Sequence, residues 1–132
     1  MYRVLAIAFV LCLVAPAARA QEADVSKAIN LGTLADSFTL VSAEAGPHEG
    51  GIGIWLKLRA KKDVDTTDLY YQVGFFDKGK VVVHATPLKF QANFPLQTGE
   101  TVHAYCTYVN AAFEEGNYPW HAIVIRSGKK PN

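Results

Sequence analysis

The chain predicts an all-β protein, an antiparallel sandwich or barrel of about seven short strands. Three observations lead there. From Ser37 onward apolar residues recur with a period of two, the spacing of half-buried strands. Turn residues break these runs roughly every ten residues, as in small sandwiches. No strand-like run alternates with a long helical segment, which argues against a parallel α/β sheet.

The first twenty residues have another character. Arg3 supplies a positive start, Val4 to Val14 are unbroken apolar sequence, and Ala18-Arg19-Ala20 offers the small–x–small site of a signal peptidase. The apolar run is too short to cross a bilayer of about 30 Å as a helix. Residues 1–20 are therefore expected to be a secretory signal peptide, with the mature chain starting at Gln21. Cys12 follows Leu11, where a lipobox needs a small residue, so lipidation is not expected. Residues 21–36 are mixed and are expected to form an N-terminal arm or short helix. Asp24 or Ser26 could cap a turn around Ala28 and Ile29, with Gly32 ending it. Residues 37–132 are the β-sandwich domain.

The strands follow in order. In "SFTLVSA", Phe38 and Leu40 share one face, and Thr39 and Val41 the other. "AGPHEGG" is expected to break the chain. In "IGIWLKLRAK", Ile52, Ile54, Leu56 and Leu58 point inward and Lys57 and Arg59 outward, with Trp55 as an exception on the wet face. After the charged loop "KKDVDTTD", Leu69, Tyr71, Val73 and Phe75 oppose Tyr70, Gln72, Gly74 and Phe76. Asp77-Lys78-Gly79 turns the chain into "KVVVHAT", which Pro87 should end or place at an edge. "PLKFQANFP" reads as a short strand crossing between sheets. "TVHAYCTYV" puts Val102, Ala104, Cys106 and Tyr108 on one face, and "WHAIVIRS" is the last strand.

Phe75, Phe76, Asp77, Gly79, Leu96, Gly99 and Glu100 form a pattern: an apolar strand ending in an aromatic and Asp, a Gly-containing turn, and a hydrophobic–x–x–Gly–Glu turn. This resembles the small immunoglobulin-like modules of bacterial envelope proteins of the FxLYD type. The resemblance covers about a third of the chain and rests on turn chemistry that many sandwiches share. The usual Asn-containing turn after the preceding strand is replaced by "AKKDVDTTD". The resemblance implies an antiparallel immunoglobulin-like sandwich, a fold and not an activity.

Charge and cysteine use narrow the function classes. The formal charge is +1, and Arg3 and Arg19 are its signal-peptide share, so the mature chain is near neutral. A dedicated nucleic-acid binder would carry a basic stripe. No second stretch approaches membrane-spanning length. Cleavage leaves Cys106 as the single cysteine, so no intramolecular disulfide is expected. Small secreted eukaryotic domains usually carry disulfides. The expected location is therefore secreted or periplasmic, in a bacterial envelope.

Candidate chemistry is sparse. His84, His103 and His121 fall in strands and are the candidates for a zinc or copper site, but no two have the i, i+2 spacing that places two ligands on one strand face. Cys106 shares a face with apolar residues, which suits a small buried hydrophobe better than a nucleophile. "DVDTTD" lacks the Gly and closing Glu of a calcium loop. No nucleophile elbow or phosphate-binding Gly loop occurs. The expectation is a protein without catalysis or cofactor whose partner is a protein or another envelope component. The contact is expected in "FEEGNYPWH", where Phe113, Glu114, Glu115, Tyr118 and Trp120 combine aromatics with acids on a long connection. Trp120 and Tyr118 could instead fold back on the core. The alternative function is a metal- or small-ligand-binding periplasmic protein using the strand histidines.

Overall fold

The period-two runs become six of the ten strands found among residues 23–91, 94–109, 111–114 and 116–129, which the computed structural model describes; the other four are two-residue strands in segments read as arm, loop or turn. The expected signal peptide, residues 1–20, and the candidate contact Glu115 lie outside the described residues. In chain order the strands are β1 (Ala23–Asp24), β2 (Ile29–Asn30), β3 (Phe38–His48), β4 (Gly51–Ala60), β5 (Val64–Asp65), β6 (Tyr71–Phe76), β7 (Val82–Phe90), β8 (Pro95–Leu96), β9 (Thr101–Val109) and β10 (Ala122–Ser127). The fold is all-β; among the described residues the helical elements are short 3-10 turns. Eight strands form one curled sheet in the order β1-β3-β4-β9-β7-β6-β10-β2, and β5 and β8 form a small second sheet.

The sheet is mixed rather than purely antiparallel, because β2 runs parallel to β10. The reason lies in residues 23–36. Asp24 accepts from the backbone N–H and hydroxyl of Ser26 at 2.9 and 2.7 Å, which bends the chain through a 3-10 turn at Ser26–Ala28. The chain thereby leaves β3 (Ala23 beside Ala45) and reaches β10 (Ile29 beside Ile123) within a few residues. This strap covers part of both outer edges of the curled sheet, and edges left open invite pairing with other chains. Gly32 begins, rather than ends, a second 3-10 turn, Gly32–Asp36, which buries Leu34 completely.

The inward residues of β4 follow the expected alternation: Ile52, Ile54, Leu56 and Leu58 are all buried and share one core with Val73, Phe75, Ile123 and Ile125. Burial of each such side chain stabilises by about 1.5–3 kcal/mol before entropy is counted. Trp55, the outward exception, lies over the open space at Gly53 and meets His48 edge-on at 6.0 Å.

One expected break is displaced, and one proline takes the edge position open to it. β3 continues through Gly46 and Pro47 to His48, and the turn falls at Glu49-Gly50. β1 covers only Glu44 and Ala45, so Pro47 sits where β3 is an edge and removes no ladder bond. A bulge between Leu40 and Ser42 sets Val41 outward and keeps Phe38, Ala43 and Ala45 on the core face.

β7 likewise runs through Pro87. It pairs with β6 from Val82 to Leu88 and with β9 at Lys89 and Phe90, so the strand passes from one neighbour to the other within one curled sheet and no separate strand crosses between sheets here. The Gln91 N–H donates to His103 O at 2.9 Å, which places the outward backbone phase of residues 91, 89 and 87 toward β9. At Pro87 the two strands have parted, so the missing N–H takes nothing from the ladder.

Candidate interaction site

Where β7 and β9 diverge, the sheet leaves a seam that side chains fill. Thr107 would present its carbonyl to β7, but β7 is no longer alongside. His84 takes the place of the lost backbone donor, with Nε2 3.1 Å from Thr107 O. A carbonyl only accepts, so this nitrogen carries the proton. The imidazole lies 4.5 Å from the Tyr108 ring and 5.7 Å from Phe75.

From that seam an aromatic series runs to the surface. Phe75 is fully buried and meets Trp120 at 5.4 Å. Trp120 also lies 5.9 Å from Tyr108 and stacks on Tyr118 at 4.7 Å with 14° between the planes. Phe113 approaches Tyr118 at 6.2 Å. Of the two positions open to Trp120, anchor or core, the structure has it in the core at 7 % exposure. Tyr118 and Phe113 are half-buried against it, and Glu114 is exposed. The loop must cross from β9 to β10 over the open end of the curled sheet, and a large ring at 120 seals that end.

The described loop residues hold a shape of their own. Asn117 N–H donates to Glu114 O at 3.1 Å, and the Asn117 amide donates to Glu114 Oε2 at 3.0 Å. Beside this turn an open depression of about 370 Å³ is lined by Tyr108, Glu114, Asn117, Tyr118 and Pro119, among others. The neighbouring β6–β7 turn is fixed by Asp77, whose Oδ1 accepts from Gly79 and Val81 N–H at 2.9 and 3.0 Å. Beyond that turn Val81, Val82 and Val83 are exposed at 59, 52 and 40 %, an apolar edge on the same end of the molecule that sequence periodicity did not single out.

The three candidate histidines do not come together, and His121 precedes β10 rather than lying in it. His84 is committed to the seam; His103 is exposed opposite Lys57 on the outer face; His121 is exposed, its backbone N–H bonded to Phe76 O. Among the described residues no group of three or more His, Cys, Asp or Glu is placed to hold a metal ion. Two of the aspartates of "DVDTTD" cap turns: Asp65 accepts from Thr67 N–H at 2.9 Å, and Asp63 from Thr98 N–H and hydroxyl at 2.9 and 3.0 Å.

Cys106 is buried at 3 % exposure on the inner face of β9, as its apolar neighbours imply. Burial pushes its thiol up to about 12 from 9.0. The folded thiol thus keeps its proton where the unfolded one loses it. That stability is fully present below pH 9.0 and is lost as the pH rises toward 12. The expected slope is about 1.4 kcal/mol per pH unit. Denaturant unfolding above pH 9 should show it in the native chain and lose it in Cys106→Ala. Thiol reagents at neutral pH should modify Cys106 only on unfolding; rapid labelling of the folded chain contradicts the burial.

No helix among the described residues is long and apolar enough to cross a membrane. Comparison with protein-family models, with curated proteins and with solved structures found no match.

Proposed function

We propose that this chain is a secreted or periplasmic interaction module of the bacterial envelope, without catalysis or cofactor, that holds a protein or another envelope component at the Phe113–His121 end. The observation that carries the reading is the aromatic series from Phe75 through Trp120 to Tyr118. Core packing fixes a half-exposed tyrosine and Phe113 in place before any partner arrives, and Asn117 holds Glu114 by a hydrogen bond. Such rigid aromatics at a loop cluster are what interface hot spots are made of.

The strand order supports an immunoglobulin-like scaffold for that surface. That architecture places strands A, B, E and D in one sheet and C, F and G in the other. Naming β3, β4, β6, β7, β9 and β10 as A to F gives A-B-E-D as β3-β4-β9-β7 and C-F as β6-β10. The place of G beside β10 is held by β2, which arrives from the N-terminal side and hence runs parallel. The envelope location rests on the signal-like Arg3, Val4 to Val14 and Ala18-Arg19-Ala20 sequence.

The test is capture of partners from a native envelope extract by the wild-type chain and by Tyr118→Ala. Binding should weaken by about 2 kcal/mol or more, the size of a hot spot, while the fold persists. Unchanged capture by folded Tyr118→Ala removes this surface from the reading.

A further inference from the structure

The depression beside the Trp120–Tyr118 stack carries a carboxylate and no cationic side chain among its described lining residues. Glu114 is a carboxylate and only accepts hydrogen bonds. Asn117 must therefore turn its amide nitrogen to Glu114 Oε2, which leaves the Asn117 carbonyl oxygen as a second acceptor on the rim. Tyr108 and Tyr118 add ring surface, and Tyr118 is backed by Trp120 at 4.7 Å. No lysine or arginine is among the described residues that line the depression.

Ring faces attract cations, and a carboxylate beside them adds charge and asks for donors. A quaternary ammonium would use the rings but bring no N–H to the two acceptors. An ammonium would bring donors but no flat face. A guanidinium is planar, stacks on aromatic rings and donates in a fork to a carboxylate. We propose that this depression receives an arginine side chain of a protein partner. The inference rests on the reading of the Phe113–His121 end as the contact surface, and names what that surface recognises.

The experiment titrates Nα-acetyl-argininamide into the purified chain at low salt, with tyrosine and tryptophan signals as the readout. Binding should saturate, and Glu114→Gln should weaken it by about tenfold, the loss of one charge-assisted contact. The neutral isostere Nα-acetyl-citrullinamide should bind at least about tenfold more weakly than the arginine compound. Tetramethylammonium, which carries the charge of a lipid headgroup without donors, should also bind more weakly. Equal binding of the citrulline compound, tighter binding of tetramethylammonium, or indifference to Glu114→Gln overturns the arginine assignment. If the arginine compound fails to bind while Tyr118→Ala still loses envelope partners, the assignment falls and the contact surface stands. If neither effect is seen, both fall.

Discussion

Replacing Trp120 by alanine is expected to destabilise the protein by about 3–5 kcal/mol, the range for truncating a large buried aromatic. The ring is 7 % exposed and touches Phe75, Tyr108 and Tyr118. Its removal leaves a cavity at the end of the curled sheet, where the chain crosses between β9 and β10 and no backbone ladder can close the gap. A small domain has about 5–15 kcal/mol in all, so the variant should lose about a fifth of its stability or more. Tyr118→Ala removes a half-buried ring and should cost far less, about 1 kcal/mol. Urea unfolding of both variants separates seal from contact. A change below about 0.5 kcal/mol for Trp120→Ala, as at an ordinary surface site, contradicts the packing. This ordering also decides how binding data are read, because a Trp120 variant that fails to bind has lost its platform, not a contact.

The long strands were legible because their burial follows from local alternation. Ile52, Ile54, Leu56 and Leu58 need only a core on one side, and any sheet supplies it. What was not legible depends on distant chain. Pro47 reads as a break, and Pro87 as an end or an edge, because their neighbours are invisible in sequence; each lies where one side of the strand has no partner, the edge alternative for Pro87. Val41 and the irregularity between Phe75 and Phe76 shift register without any turn residue to announce it. The candidate site shows the same division. Phe113, Glu114 and Tyr118 were visible as aromatics and acids on a long connection. The position of Trp120 was not, since "WHAIVIRS" reads as one strand whereas β10 starts only at Ala122, and the ring's burial is set by the open end it covers. His84 was read as a possible ligand because imidazole chemistry is known and the orphaned Thr107 carbonyl is not. The one available signal was its shared phase with Thr86 and Leu88, which face the core side of β7.

Gly32→Ala is expected to cost about 2–4 kcal/mol, from left-handed backbone strain and an overpacked contact together. Gly32 has φ +55, and a Cβ there would stand 2.1 Å from Ile125 O, a backbone atom of β10 that cannot step aside. The site is where the N-terminal strap closes the outer edge of the sheet. Asn30 Oδ1 accepts from the Gly32 N–H at 2.9 Å, and Thr33 Oγ1 accepts from the Ser127 N–H at 3.0 Å. A methyl group at 32 should push the strap off β10 and expose the edge. Gly99 supplies the control: it has φ +92 but nothing within 4 Å of its Cβ position, so Gly99→Ala carries the backbone strain alone. Denaturant unfolding should show Gly32→Ala losing more than Gly99→Ala by about 1–3 kcal/mol, the overpacking share. Amide exchange should quicken along Ile125–Ser127 in the first variant and not in the second, because only the first opens that edge. Equal losses, with β10 protection unchanged, would mean that the strap is not held tightly at Ile125, and that closure of the edge depends on β2 alone.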